Sequence, residues 1–316
     1  MNALCICLSP AIDATVRLGK WPTDGCIIKD AQDTFAPGGK AVNVARWLAI
    51  RGATVSCGGL LGEDNAALFE KELAKYGIED RFVRVPGSTR VNEMFVTPKG
   101  SFKVNRAAFP TVGADVLGGP QSFFNEDSLG RDCGARGTAR PTVVISGSLP
   151  EGFPVDYYRR LVAAAKDAGA KVVLDASGVA LVEGVKAHPD VIKPNAEECE
   201  PLVGFVPKTA EEFRKATFAL TACCDYPIIS DGANGCWFDG EFVAAPKVEV
   251  LDTTAAGDTL LAEWCWQIGA SLTSGKDSAS PLGLLWAVAA GSAACTMPGG
   301  EPPELALVER LAKSVA

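Results

Sequence analysis

PTVVISGSLPEGFPVDYYRRLVAAAKDAGAKVVLDAS, residues 141–177, holds two unbroken apolar runs, Thr142–Ser146 and Lys171–Asp175, with a helical stretch near Val155–Ala168 between them. A strand that is apolar at every position is buried on both faces, and a helical crossover brings the next strand back parallel to it. The rhythm continues through Val191–Lys193, Pro227–Ser230 and Glu241–Ala244, with helices between or after them. The pattern predicts an α/β fold: a mostly parallel central sheet with helices on both faces. Ligands of such sheets bind outside the carboxyl ends of the strands. Asp175, Asn195 and Asp231 each fall just past a predicted strand end and are expected to line one cleft.

Working back toward the N-terminus, residues 3–8 read as a buried strand, and Thr15–Leu18 and Cys26–Phe35 as strands of lower apolar content. Gly38–Gly39 opens a helix through Ala41–Ala49. Ala53–Cys57 is a strand, and Asn65–Tyr76 is an amphipathic helix ended by Gly77. Phe82–Val85, Val91–Thr97 and Ser101–Asn105 alternate like exposed strands, with Pro98–Lys99–Gly100 as a hairpin turn. Residues 111–140 show no clean periodicity and read as a helix flanked by a variable loop, whereas Trp286–Thr296 is short, apolar and rich in Ala, as in a core helix.

The 316 residues are 47% apolar, enough for one large α/β domain with a small appendage, and no mid-chain segment reads as a linker. A net charge of −8 argues against a nucleic-acid or anionic-membrane surface. No apolar stretch approaches the roughly 20 residues of a membrane span. No basic leader precedes Ala3–Leu8. The 11 Cys follow no regular framework, no C-x-x-C pair occurs, and His188 is the single His. Reduced thiols in a cytoplasmic protein without a zinc site are therefore expected.

Two stretches carry chemistry. In Asp252–Thr253–Thr254–Ala255–Ala256–Gly257–Asp258, small residues precede a carboxylate and an apolar helix follows. Such a turn leaves backbone N–H groups open at a helix N-terminus, where anions bind. Phosphoryl transfer needs that kind of hole, and it needs a base for the attacking hydroxyl, a part Asp258 could take. The same pattern also fits a small-residue turn with Asp as a helix cap. In Pro37–Gly38–Gly39–Lys40–Ala41–Val42–Asn43, paired glycines allow close backbone approach to a polyhydroxyl ligand, Asn43 can donate and accept, and Lys40 adds a charge. A purely structural strand-to-helix turn would look alike. Walker A, G-x-G-x-x-G and G-x-S-x-G patterns are missing, which disfavours P-loop, dinucleotide-binding and triad-hydrolase readings.

Taken together, these stretches resemble the ribokinase/PfkB carbohydrate kinase superfamily over nearly the whole chain. Leu8–Asp13 is similar to the first strand and substrate-binding Asp of that family, and Gly38–Ala45 to its first signature. Ser146–Pro150 is similar to a strand end of the phosphofructokinase branch. Lys193–Glu198 resembles the K-P-N-x-x-E segment, and Ser230–Gly235 the nucleotide loop; Asp252–Asp258 resembles the second signature. The resemblance implies a ribokinase-like three-layer sandwich in one domain over residues 1–316, with a small β-lid from about 13–35 and 88–106. It implies ATP-dependent phosphorylation of a sugar hydroxyl, with Asp258 as base and the backbone of Ala255, Ala256 and Gly257 as anion hole. Asp13, Gly38, Gly39, Lys40, Asn43, Arg90 and Asn92 would bind the sugar or sugar phosphate. Lys193, Asn195, Ser230, Gly232 and Gly235 would border ATP, and Asn195 and Glu198 would hold Mg²⁺ through water. A homodimer paired through the lid is a further possibility.

Lys40 and Thr89–Asn92 point to the branch of 1-phosphofructokinases and tagatose-6-phosphate kinases, whose substrates already carry a phosphate. Three departures stand against that pattern. Ala255 replaces the first Gly of G-A-G-D, where a methyl group would narrow the anion hole. Met94 stands where the branch commonly has a phosphate-binding Lys, and Met297 where an Asn often lies beside the adenine. Losing one cation costs a phosphate site about 1.5–3 kcal/mol. Lys103 and Arg106, on the next predicted strand, could replace it or face water. The alternatives are a kinase of an unphosphorylated sugar or nucleoside and a catalytically silent sugar- or nucleotide-binding regulator.

Overall fold

The structure, a computed structural model, describes residues 1–106, 113–124, 140–272 and 281–315. In chain order, β1 is Asn2–Cys7, β2 Ala11–Arg17, β3 Gln32–Gly38, α1 Lys40–Ile50, β4 Thr54–Gly62, α2 Ala67–Lys75 and β5 Glu79–Val85. Then come β6 Val91–Thr97, β7 Gly100–Val104, β8 Thr142–Ser146, α3 Tyr157–Asp167, β9 Lys171–Asp175, α4 Gly178–Gly184 and β10 Val191–Ile192. The chain continues with α5 Ala196–Val203, α6 Ala210–Leu220, β11 Tyr226–Ser230, β12 Gly235–Phe238, β13 Glu241–Ala244, α7 Ala256–Leu272, α8 Pro281–Ala294 and α9 Leu305–Val315. No helix among the described residues is long and apolar enough to cross a membrane.

A nine-stranded sheet in the order β13-β12-β11-β10-β9-β8-β1-β4-β5 spans the molecule. It is parallel from β11 to β5, and the β11–β12–β13 edge is antiparallel. The unbroken apolar strands divide their side chains between two cores. Ala3, Cys5 and Cys7 of β1 face the core built with α1, α7, α8 and α9, while Leu4 and Ile6 face the core built with α3 to α6. Val144 against Val143 and Ile145 repeats the alternation on β8.

A second sheet, in the order β3-β2-β6-β7, stands on the N-terminal half. Pairing runs from Ala11↔Gly38 to Arg17↔Gln32, so the strand expected at Cys26–Phe35 lies at Gln32–Gly38 instead, and the one expected at Thr15–Leu18 begins at Ala11. Cross-strand partners, and not local composition, fix those boundaries. Phe82–Val85, expected as an exposed strand, belongs to β5 of the large sheet and buries Phe82 and Val85 beside β4. The four-residue β12 has no periodicity of its own to announce it; the antiparallel hairpin with β13 creates it. Of the helix expected within 111–140, residues 113–124 form two short 3₁₀ turns, Ala114–Leu117 and Pro120–Phe123, and 125–139 lie outside the described residues. The core helix expected at Trp286–Thr296 falls mainly within α8.

Candidate active site

Two helix N-termini converge on one point. β3 runs directly into α1 through Gly38 and Gly39. Gly39 has φ 112°, and a Cβ there would come within 2.9 Å of Cys7 Sγ; a Cβ on Gly38 would meet Asp13 Oδ2 at 2.1 Å. Glycine is thus required for the small sheet to close onto the large one. In the first turn of α1, Asn43 donates from Nδ2 to Oδ2 of Asp258, in the first turn of α7, at 2.7 Å.

Asp258 is only 7% exposed. Burial and the nearby Asp175 push its carboxyl up to about 6, against the pull of Lys40, the Asn43 hydrogen bond and Lys193. The first intrahelical bond of this turn runs from Thr259 N–H to Ala255 O at 2.8 Å, so the N–H groups of Gly257 and Asp258 point ahead of it, open to an anion. Lys193 Nζ lies on the same turn, 3.5 Å from where a Cβ of Gly257 would stand.

Behind the carboxylate, Asp175 at the end of β9 binds two cations, Lys40 Nζ at 3.3 Å and Lys193 Nζ at 3.5 Å, and accepts from Ser146 Oγ at 3.1 Å. Burial pushes Asp175 up, but Lys193 and Lys40 outweigh it and hold the carboxyl below its ordinary value. Burial likewise pulls Lys40 down, while Asp175, Asp258 and Glu198 overcome it and raise the ammonium. The Lys40 side chain leaves 40% of its surface open, so it is fixed at the site and still free to meet a ligand.

Asp13 and Asn92 face each other across β2 and β6, joined from Asn92 Nδ2 to Asp13 Oδ1 at 3.2 Å. With Ala14, Thr15, Met94, Lys103, Asp252, Thr254 and Gly299 they line one shallow pocket. Asn92 Oδ1 is buried without a partner. Arg90 is more committed than its sequence position suggests: Nη2 donates to Ser9 O at 3.3 Å and Nη1 to Arg106 O at 3.5 Å, with Nε buried and unpaired. Arg106 is bound to Glu93, on the opposite face from Lys103.

Asn195 and Glu198 form a capping box at the start of α5, Glu198 N–H donating to Asn195 Oδ1 at 2.8 Å and Asn195 N–H to Glu198 Oε2 at 3.0 Å. One Glu198 oxygen stays outside that pair. Among the described residues no cluster of three His, Cys, Asp or Glu could hold a metal. A lone half-buried carboxylate beside an amide suits a hard cation that keeps its waters. Ser230 is bridged to Asn195 and donates N–H to Pro194 O at 3.0 Å, so the β11 end and the α5 cap form one ledge. Gly232 lies in the β11–β12 turn and Gly235 begins β12. Asp231, expected to line the cleft, accepts from Asn234 Nδ2 at 3.1 Å within its own loop.

Two positioning groups, Arg46 and Asp252, had no role assigned from the sequence. Arg46 is 2% exposed and donates to Asn43 Oδ1, to Gly300 O at 3.1 Å and to Glu72 Oε1 at 3.1 Å, which fixes the Asn43 amide with its NH₂ toward Asp258. Its signal was a lone cation inside the Ala41–Ile50 run, where Asn43 is the other polar residue. Asp252 accepts from Thr254 N–H at 2.8 Å and Gly299 N–H at 3.1 Å, tying the turn before α7 to the loop after α8. Ala255 adopts φ 64°, a left-handed conformation, and a Cβ added at Gly300 would come within 3.5 Å of its methyl group, which is therefore packed toward that loop.

The sequence pattern of the pfkB family carbohydrate kinases matches residues 6–297. A 1-phosphofructokinase of Rhodobacter capsulatus is 34% identical over 304 residues, covering 95% of this chain and 92% of the relative. One from Haemophilus influenzae is 34% identical over 83% of this chain and 82% of its own length. Phosphofructokinase-2 from Escherichia coli, in complex with substrates and products, superposes over 100% of this chain and 99% of that one with a TM-score of 0.83 at 22% identity. Ribokinase from Giardia lamblia covers 98% of this chain and 99% of its own with a TM-score of 0.72 at 16% identity, the same ribokinase-like fold. With that coverage, the chain belongs to the pfkB family of carbohydrate kinases and is a sugar kinase with ATP as its phosphoryl donor.

Proposed function

We propose that this enzyme phosphorylates a ketohexose phosphate, in the manner of the 1-phosphofructokinases it resembles, with Asp258 as the catalytic base. The observation that carries the reading is the buried Asp258 carboxylate, fixed by Asn43 at 2.7 Å on the open N-terminus of α7 and flanked by Lys40 and Lys193. Asp13, Gly38, Gly39, Asn43 and Asn92 hold the sugar hydroxyls. Lys40 and Arg90 meet the phosphate already on the sugar. Asp258 takes the proton of the attacking hydroxyl, and the N–H groups of Gly257 and Asp258, left open while Ala256 N–H donates to Thr253 O at 3.3 Å, receive the charge of the moving phosphoryl group. Lys193, Asn195, Ser230, Gly232 and Gly235 border ATP. Glu198 and Asn195 would hold Mg²⁺ through water, which would supply neutralising charge on the ATP phosphates. Closure of the small sheet over the pocket excludes water from the base.

The outer face of that sheet supports a homodimer. Phe35, Phe102 and Val104 are exposed there, Phe95 stacks on Phe102 with ring centroids 4.9 Å apart, and Trp21 meets Phe102 at 6.1 Å. An apolar sheet face of this kind marks an association surface. Unpaired cysteines at the described positions accord with a cytoplasmic setting.

A second reading rests on Met94, which removes a cation from the expected phosphate region: a kinase of an unphosphorylated sugar. The test is ADP release with Mg-ATP on fructose 1-phosphate, tagatose 6-phosphate, fructose 6-phosphate, fructose and ribose. Turnover of a phosphosugar at a kcat/KM at least about 100-fold above free sugars supports the first reading. Turnover of free sugars alone establishes the second.

A further inference from the structure

We propose that Lys103 is a specificity-determining residue that binds the phosphate of the sugar substrate; this rests on the phosphosugar reading above. Lys103 lies on β7 directly opposite Met94 on β6, on the face that carries Asp13, Thr15 and Asn92. Among the nine side chains and backbone segments around that pocket it is the one cation, beside the carboxylates of Asp13 and Asp252. Asp252 is occupied by two backbone N–H groups. Among the described residues Lys103 has no salt bridge of its own, whereas its neighbour Arg106 is tied to Glu93 on the outer face. Directly opposed side chains in an antiparallel pair stand about 5 Å apart at Cβ, within the reach of a lysine stem. A lysine on β7 can therefore place its ammonium over the ground that a lysine at position 94 would cover. Met94 supplies the apolar floor beneath it.

The alternative is that Lys103 serves only to neutralise Asp13, whose carboxyl is raised by burial and drawn down by Lys103 and Asn92. The two roles separate by substrate. In Lys103→Met, KM for the phosphosugar should rise about 10- to 100-fold, the range for one charge-assisted contact, with kcat and the KM for Mg-ATP near wild type. Free fructose, measured as a competitive inhibitor, should bind the variant as it binds wild type. Adding Met94→Lys to Lys103→Met should restore most of the phosphosugar KM. An unchanged phosphosugar KM in Lys103→Met, or an equal weakening of fructose, overturns the assignment while leaving the phosphosugar reading intact. A wild-type enzyme that turns over no phosphosugar overturns both.

Discussion

At Asp258, one carboxylate is asked to be both buried and ionised. Its carboxyl, raised from 3.8 to about 6, is charged above that value and protonated below it; as the proposed base it would set the acid limb of catalysis. A plot of kcat/KM against pH should therefore fall about tenfold per unit below roughly pH 6. The same shift has a stability cost with a definite sign. A carboxyl whose pKa is higher folded than unfolded stabilises the protein most below the unfolded value, and that contribution is lost as pH rises toward the folded one. Asp258→Asn should consequently be more stable than wild type at pH 7.5 by about 1–3 kcal/mol in urea unfolding, with the gap closing toward pH 4. Ala255 is the other loaded residue. At φ 64° its Cβ costs about 1 kcal/mol that glycine avoids, partly offset by the freer unfolded chain. Ala255→Gly should raise the urea midpoint by an amount equivalent to about 0.5–1 kcal/mol while retaining turnover. Its methyl lies toward Gly300 and not among the open N–H groups, so an intact anion hole is expected in the wild type.

Among the elements, α1 and α7 carry the site, and their sequences announced it unevenly. The glycines before α1 and the small residues before α7 were legible because each is dictated by backbone geometry at one turn. Asn43 and Asp258 follow at fixed offsets from those turns. Asp175 could be placed at a strand end, but its role as the shared partner of Lys40 and Lys193 depends on β9, α1 and β10 meeting in space, and no local pattern encodes that. The Arg46 fork to Asn43, Gly300 and Glu72 is hidden for the same reason. The β2–β3–β6–β7 sheet was anticipated as strands, though its outer apolar face emerges only from register: Phe95 opposite Phe102, Val16 opposite Phe95. A charge there should break association. Phe102→Glu is expected to shift the protein from dimer to monomer in sedimentation at micromolar concentration; a wild type that sediments as a monomer would remove the dimer proposal.

Over the whole molecule, the fold was legible where strands are buried on both faces. β1, β8, β9 and β11 divide their side chains between two cores, and that leaves a continuous apolar run as their trace in the sequence. β5, at one edge, pairs on one flank only, and β12, next to the opposite edge, is four residues long, so neither leaves such a trace. All the carboxyl ends of the parallel strands point to one rim, where the small sheet, the α7 turn and the β11–α5 ledge meet; the architecture assembles in space what the sequence scatters. The claim on which the account turns is that this rim transfers a phosphoryl group using Asp258 as base. It is tested most directly by comparing wild type with Asp258→Asn in a coupled ADP-release assay on the preferred phosphosugar, with Mg-ATP affinity measured in parallel. With Asp258 as base, kcat falls by about 10²- to 10⁴-fold in the variant while ATP binds as in wild type. Turnover within a few-fold of wild type would contradict it.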